Sequence, residues 1–189
     1  APDAQVRRAA GPGMPRRADI SATRFVLEAL LKAGVPAGEL LWKDALVFVA
    51  RCQHSRGQPA GDGGFFFSTT HRELNKTAPE LEDPQARAPS YGSATADGWR
   101  CLQILDAMGL LENRGQLLAE ARDWFPKKED WSACPGFAGT PGAKAHWDQA
   151  LIFYYRASRA GAERLEPRRL GPAGWRALAQ ATLAAQRKD

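Results

Sequence analysis

Apolar positions recur at helical spacing along most of the chain, and glycine- or proline-containing polar stretches divide that pattern into six blocks. In ISATRFVLEALLKAGV, residues 20 to 35, Phe25, Val26, Leu27, Leu30 and Leu31 fall on one broad apolar face. Asp19 or Ser21 offers an N-cap and Gly34 a C-terminal stop. Pro36 separates this helix from a second, expected over residues 40 to 53, with Leu41, Ala45, Leu46, Phe48 and Val49 on its apolar side. Further helices are expected over 93 to 108, stopping at Gly109, over 117 to 125, stopping before Pro126, over 143 to 161, and from Pro172 to the chain end.

The segment from 57 to 90 has no helical period, and a GFFF step is its one hint of extended chain. A connection of this length inside a compact domain is functional, disordered or laid over a surface. Residues 1–18, rich in Ala, Gly, Pro and Arg, read as a flexible N-terminal segment, and 19–189 as one domain. The expected class is all-α. Six helices read as three antiparallel pairs of an α/α repeat array with a long irregular loop between pairs, a plain bundle being the alternative.

Composition narrows the function classes. With 189 residues, 44% hydrophobic and 25% charged, the chain suits a soluble globular domain. No apolar run approaches the ~18 residues of a membrane span. The net charge of +5 comes from Lys and Arg interleaved with acids, so no nucleic-acid partner is expected. Cys52, Cys101 and Cys134 are too far apart for a CxxC knuckle and odd in number for a disulfide framework. Compartment is left open.

FVARCQHSRGQPAGDGGFFFS, residues 48 to 68, ends an apolar run on a glutamine and turns through two glycines into three phenylalanines. The Gln53 amide is suited to carbonyls left unpaired at a helix end, and the glycines to positive-φ backbone. Phe48, Gln53, Gly63, Gly64 and Phe65 together resemble the QW repeat of squalene and oxidosqualene cyclases and of prenyltransferase β subunits, with a longer gap and Phe for Trp. YGSATADGWRCLQIL, residues 91 to 105, is similar to the helix start after the GGF turn in the same family, and closer still to uncharacterised bacterial squalene-cyclase-like repeat proteins. Gln186 closes a last helix in the same manner. The resemblance implies an α/α toroid, here a partial ring of three helix pairs cut at its C-terminal end, around a central apolar cavity.

The family's two chemistries do not carry over. Class II cyclases protonate an alkene with an Asp-x-Asp-Asp-Thr-Ala motif. The run from Asp19 to Arg24 resembles it, but Ser21 takes the donor position and Ala22 the next carboxylate. Asp19 then reads as an N-cap, leaving Asp19 and Asp97 as weak catalytic candidates. The zinc ligands of protein prenyltransferases also lack counterparts: Arg156 stands where the His would be, and Asp130 and Cys134 have the wrong spacing. His146 beside Trp147 is a conceivable ligand on its own, but no metal and no cofactor is expected. His54 and His71 have no nucleophile motif to serve.

What the resemblance leaves is binding. Tyr91, Asp97, Trp99, Trp147, Tyr154 and Tyr155 are the candidates for a lumen that takes an isoprenoid or another apolar small molecule, with helix packing as the plain reading of the aromatics. The expectation is a repeat protein without the usual catalytic acid or zinc ligands, leaning away from an enzyme. The alternatives are a divergent terpenoid cyclase or isomerase with its acid outside this chain, and a repeat module for a protein partner.

Overall fold

The computed structural model describes residues 18–59, 61–77, 88–137, 145–166 and 170–186. Among these the chain is all-helical, with α1 (Ile20–Lys32), α2 (Leu40–Arg51), α3 (Gly92–Ala107), α4 (Gly115–Trp124), α5 (Ala145–Glu163) and α6 (Gly171–Ala184). Short 3-10 turns occupy Arg72–Leu74 and Phe125–Lys127. Most of the expected N-terminal segment, and residues 60, 78–87, 138–144, 167–169 and 187–189, lie outside the described residues.

Local chemistry sets the helix ends. The Asp19 carboxylate accepts the Ala22 N–H at 2.7 Å, an N-cap that starts α1. At its other end Gly34, at φ 69°, donates to the Leu31 carbonyl at 3.1 Å while Val35 donates to Leu30 at 3.1 Å. This reciprocal pair is a Schellman stop. α3 ends identically at Gly109, φ 73°, with Gly109 bonded to Asp106 at 2.8 Å and Leu110 to Leu105 at 3.0 Å.

α3 is the hub, packed against α1, α2, α4 and α5, while α6 rests on α5. From Gly92 to Leu105 every residue of α3 except Arg100 is buried, so it is covered on all faces rather than along one stripe. Small residues permit this closeness. A Cβ at Gly98 would lie 2.4 Å from the Phe65 ring, and one at Gly92 would lie 3.0 Å from the Tyr155 ring. Trp124, at the end of α4, donates to Ser90 just before α3, so α4 runs back along α3. Asp97 meets Tyr154, and Gln103 meets the Ala162 carbonyl, so α5 runs parallel to α3.

The connection from α2 to α3 begins as a narrow extended crossing. His54 donates to Gly64 at 2.8 Å, Gly63 to His54 at 2.7 Å and Phe66 to Cys52 at 3.1 Å, with an isolated antiparallel bridge between Gln53 and Phe65. Phe65 therefore does return to the end of α2, but by its backbone; its ring lies on Gly98 of α3.

Candidate functional site

Among the described residues, the densest polar cluster joining separate helices surrounds Asp97, on the second turn of α3 and 0% exposed. Its Oδ2 accepts the Ser21 hydroxyl of α1 at 2.6 Å and the Tyr154 hydroxyl of α5 at 2.8 Å. Its Oδ1 forms an ion pair with Arg24 Nε at 2.8 Å. Arg24 continues to Glu28 at 3.2 Å, and Glu28 accepts Arg100 Nε at 2.9 Å. Burial raises the Asp97 carboxyl above the ordinary range, against the pull of Ser21, Arg24, Tyr154 and Ser158. The Tyr154 hydroxyl is also raised, by burial and then by the Asp97 charge.

Chemically this is a clasp. Both carboxylate oxygens face protein donors, whereas a proton donor to an alkene needs one oxygen presented to substrate. The cluster ties α1, α3 and α5 at one level.

A second polar knot holds the glycine turn. Gln53, fully buried, donates Nε2 to the Gly63 carbonyl at 3.0 Å and to the Leu117 carbonyl of α4 at 2.9 Å. Asp62 accepts the Gly64 N–H at 3.0 Å, Ser90 Oγ at 2.6 Å, Trp124 Nε1 at 2.9 Å and Lys128 Nζ at 2.8 Å. Burial works to raise the Asp62 carboxyl, but these donors, Lys128 first, bring it down to about 2. Gly63, at φ 88°, makes the turn, and a Cβ on Gly64 would come 2.4 Å from Trp124 Nε1.

The aromatic candidates separate into two groups. Tyr91, Trp99 and Tyr155 are core residues: Tyr91 meets Phe137 edge-on at 5.3 Å, Trp99 tilts against Phe125 at 5.5 Å, and Tyr155 stacks on Trp131 at 5.9 Å. Tyr154 and Trp147 are half-buried, the first on Asp97 and the second beside Lys76. Gln186 is exposed at the end of α6.

Space for a ligand lies elsewhere. A groove of about 370 Å³ runs between α1 and α2, walled by Val26, Leu27, Leu30, Leu41, Ala45 and Phe48, with Asp19 and Thr23 on its lining. A second, of about 340 Å³, is edged by Lys43, Glu112 and Arg114 and is more polar. Of the residues selected from sequence, Phe48 and Asp19 line the first groove.

The residues weighed against a zinc site from the sequence are engaged within the protein. Asp130 accepts the Ser132 N–H at 2.7 Å and its hydroxyl at 2.6 Å, and Arg156 donates to the Trp131 carbonyl. Burial pushes the Cys134 thiol up to about 12. The side chain of His146 lies outside the described residues. Among the described residues no group of three His, Cys, Asp or Glu could hold a metal ion, and no helix is long and apolar enough to cross a membrane.

Comparison with family models, curated proteins and solved structures gives no match to this chain.

Proposed function

We propose that the chain is a non-catalytic helical repeat protein, built like the squalene-cyclase and prenyltransferase toroids, that binds an elongated apolar ligand of isoprenoid type in the α1–α2 groove. The observation that carries this reading is the groove itself. Its walls are aliphatic or aromatic almost throughout, its volume lies within the range of small-molecule sites, and its polar groups are few. Three features support the layered architecture: α5 parallel to α3 with α4 returning between them in sequence, the Gln53–Gly63 knot, and the close seating of Phe65 on Gly98. The engagement of Asp97 by Ser21, Arg24 and Tyr154 speaks against an alkene-protonating acid at that position.

Titration calorimetry with a farnesyl-length alcohol tests the reading. Saturable one-to-one binding with a negative heat-capacity change is expected for apolar surface leaving water. Heats indistinguishable from dilution overturn it.

A second reading rests on a separate observation. Phe25 (54% exposed), Leu40 (47%) and Val47 (44%) are exposed apolar side chains on α1 and α2 outside the groove lining, as a protein-binding face would offer.

A further inference from the structure

The α1–α2 groove is polar at one end and apolar along the rest. Among the described residues, Asp19 and Thr23, at the start of α1, are the only polar side chains on its lining. Roughly 16 Å of helix, at a rise of 1.5 Å per residue, separates Asp19 from Leu30 at the other end of the α1 wall.

The hydrogen bonds already made at the polar end decide what it can take. The N–H groups of Ile20, Ala22 and Thr23, which a helix start otherwise offers to an anion, are given to the Phe67 carbonyl at 2.9 Å, the Asp19 carboxylate at 2.7 Å and the Asp19 carbonyl at 3.0 Å. The Thr23 hydroxyl donates its proton to the Asp19 carbonyl at 2.7 Å. What remains there is acceptors: the lone pairs of Thr23 Oγ1, and the Asp19 carboxylate, whose Oδ2 takes no hydrogen bond among the described residues. No Lys or Arg stands on the lining. Lys76 feels the Asp19 charge but forms no ion pair with it among the described residues, its Nζ lying 3.3 Å from the centre of the Phe67 ring.

We propose that the groove selects lipophilic amines, with an apolar chain laid along α1 towards Leu30 and a terminal ammonium donating to Asp19. This rests on the groove reading above and adds to it the sign of the head group. An ammonium supplies both the donors and the charge that complement the polar end. An alcohol supplies one donor and no charge, and a carboxylate or phosphate brings a second anion to a place without a free donor. The net charge of +5 makes the opposite prediction, because attraction by overall charge alone would hold the acid best. Apolar contact alone would hold all three equally.

Three ligands with one chain and different heads test the proposal: farnesylamine, farnesol and farnesoic acid, titrated calorimetrically into the full chain near neutral pH. The expected order is amine, alcohol, acid, with about a threefold step in affinity at each stage, as for a partly exposed ion pair. Salt should narrow both steps. Asp19→Asn keeps an N-cap through its amide oxygen and should remove the step between amine and alcohol. Asp44→Asn, at an exposed acid of α2 off the lining, should leave that step in place. Equal affinities, a preference for the acid, or an amine preference that survives Asp19→Asn or is lost in Asp44→Asn overturns the proposal while leaving the groove a site for apolar chains. Failure of all three ligands to bind overturns the groove reading and this proposal together.

Discussion

Gln53, at the end of α2, reaches 64 positions along the chain to donate its carboxamide to the Leu117 carbonyl of α4 at 2.9 Å. The same nitrogen donates to Gly63 at 3.0 Å, so one side chain fixes the end of one helix, the glycine turn and the start of another. Replacing Gln53 by Leu leaves two buried carbonyls without this donor, at about 1–3 kcal/mol each. Urea denaturation of Gln53→Leu should show an earlier midpoint with an unchanged slope.

Gly98 is needed for space. A methyl group there would enter the Phe65 ring at 2.4 Å, and α3 is covered on every side. Gly98→Ala should destabilise the chain by about 1–3 kcal/mol, as overpacking does in a dense core. Phe65→Leu in the same chain should recover part of that loss, giving a non-zero coupling in a double-mutant cycle read by thermal unfolding.

Asp62 gives the fold an acid limb of known sign. Its carboxyl sits at about 2 in the folded chain against an ordinary value of 3.8, so the unfolded chain binds the proton more readily. The stabilisation is complete above about pH 4 and is lost as pH falls through that window towards 2. Asp62→Asn should be less stable than wild type at neutral pH, with the gap narrowing on acidification. Melting temperatures across that range measure it.

Asp97 and Arg24 are a buried pair whose members depend on each other. Asp97→Ala removes one of the two carboxylates on the Arg24 guanidinium, which keeps Glu28, and leaves the Ser21 and Tyr154 hydroxyls without this acceptor, a loss of about 1–3 kcal/mol. Removing both charges as Asp97→Leu with Arg24→Met should cost less than Asp97→Ala alone. Chemical denaturation of the single and double variants compares the two.

How much of this was readable in the chain follows the range of the interactions. Asp19, Gly34 and Gly109 act within a few residues, so the positions of all six helices follow from period and caps. The Asp97 cluster joins Ser21 to a residue 76 positions away and Tyr154 to one 57 positions away. Residue types single out Asp97 and Tyr154, but nothing local says that they touch, and Ser21 attracts notice as an N-cap candidate and as the wrong residue for an acid. Gln53 was expected to serve its own helix end. The last-turn carbonyls of Phe48, Val49 and Ala50 already accept from Cys52 and Gln53, and Cys52 accepts from Phe66, so the carboxamide is left to reach Gly63 and Leu117. Tyr91, Trp99 and Tyr155 show the remaining ambiguity, since aromatic rings at helical spacing look alike whether they fill a core or line a cavity.

Occupancy of the α1–α2 groove is the most direct test of the account. A fluorescent prenyl analogue should bind the wild-type chain saturably, be displaced by unlabelled farnesol, and lose most of its affinity when Ala45→Trp fills the groove without touching Asp97 or Gln53. Binding that survives Ala45→Trp unchanged, or no saturable signal from the wild-type chain, would contradict it.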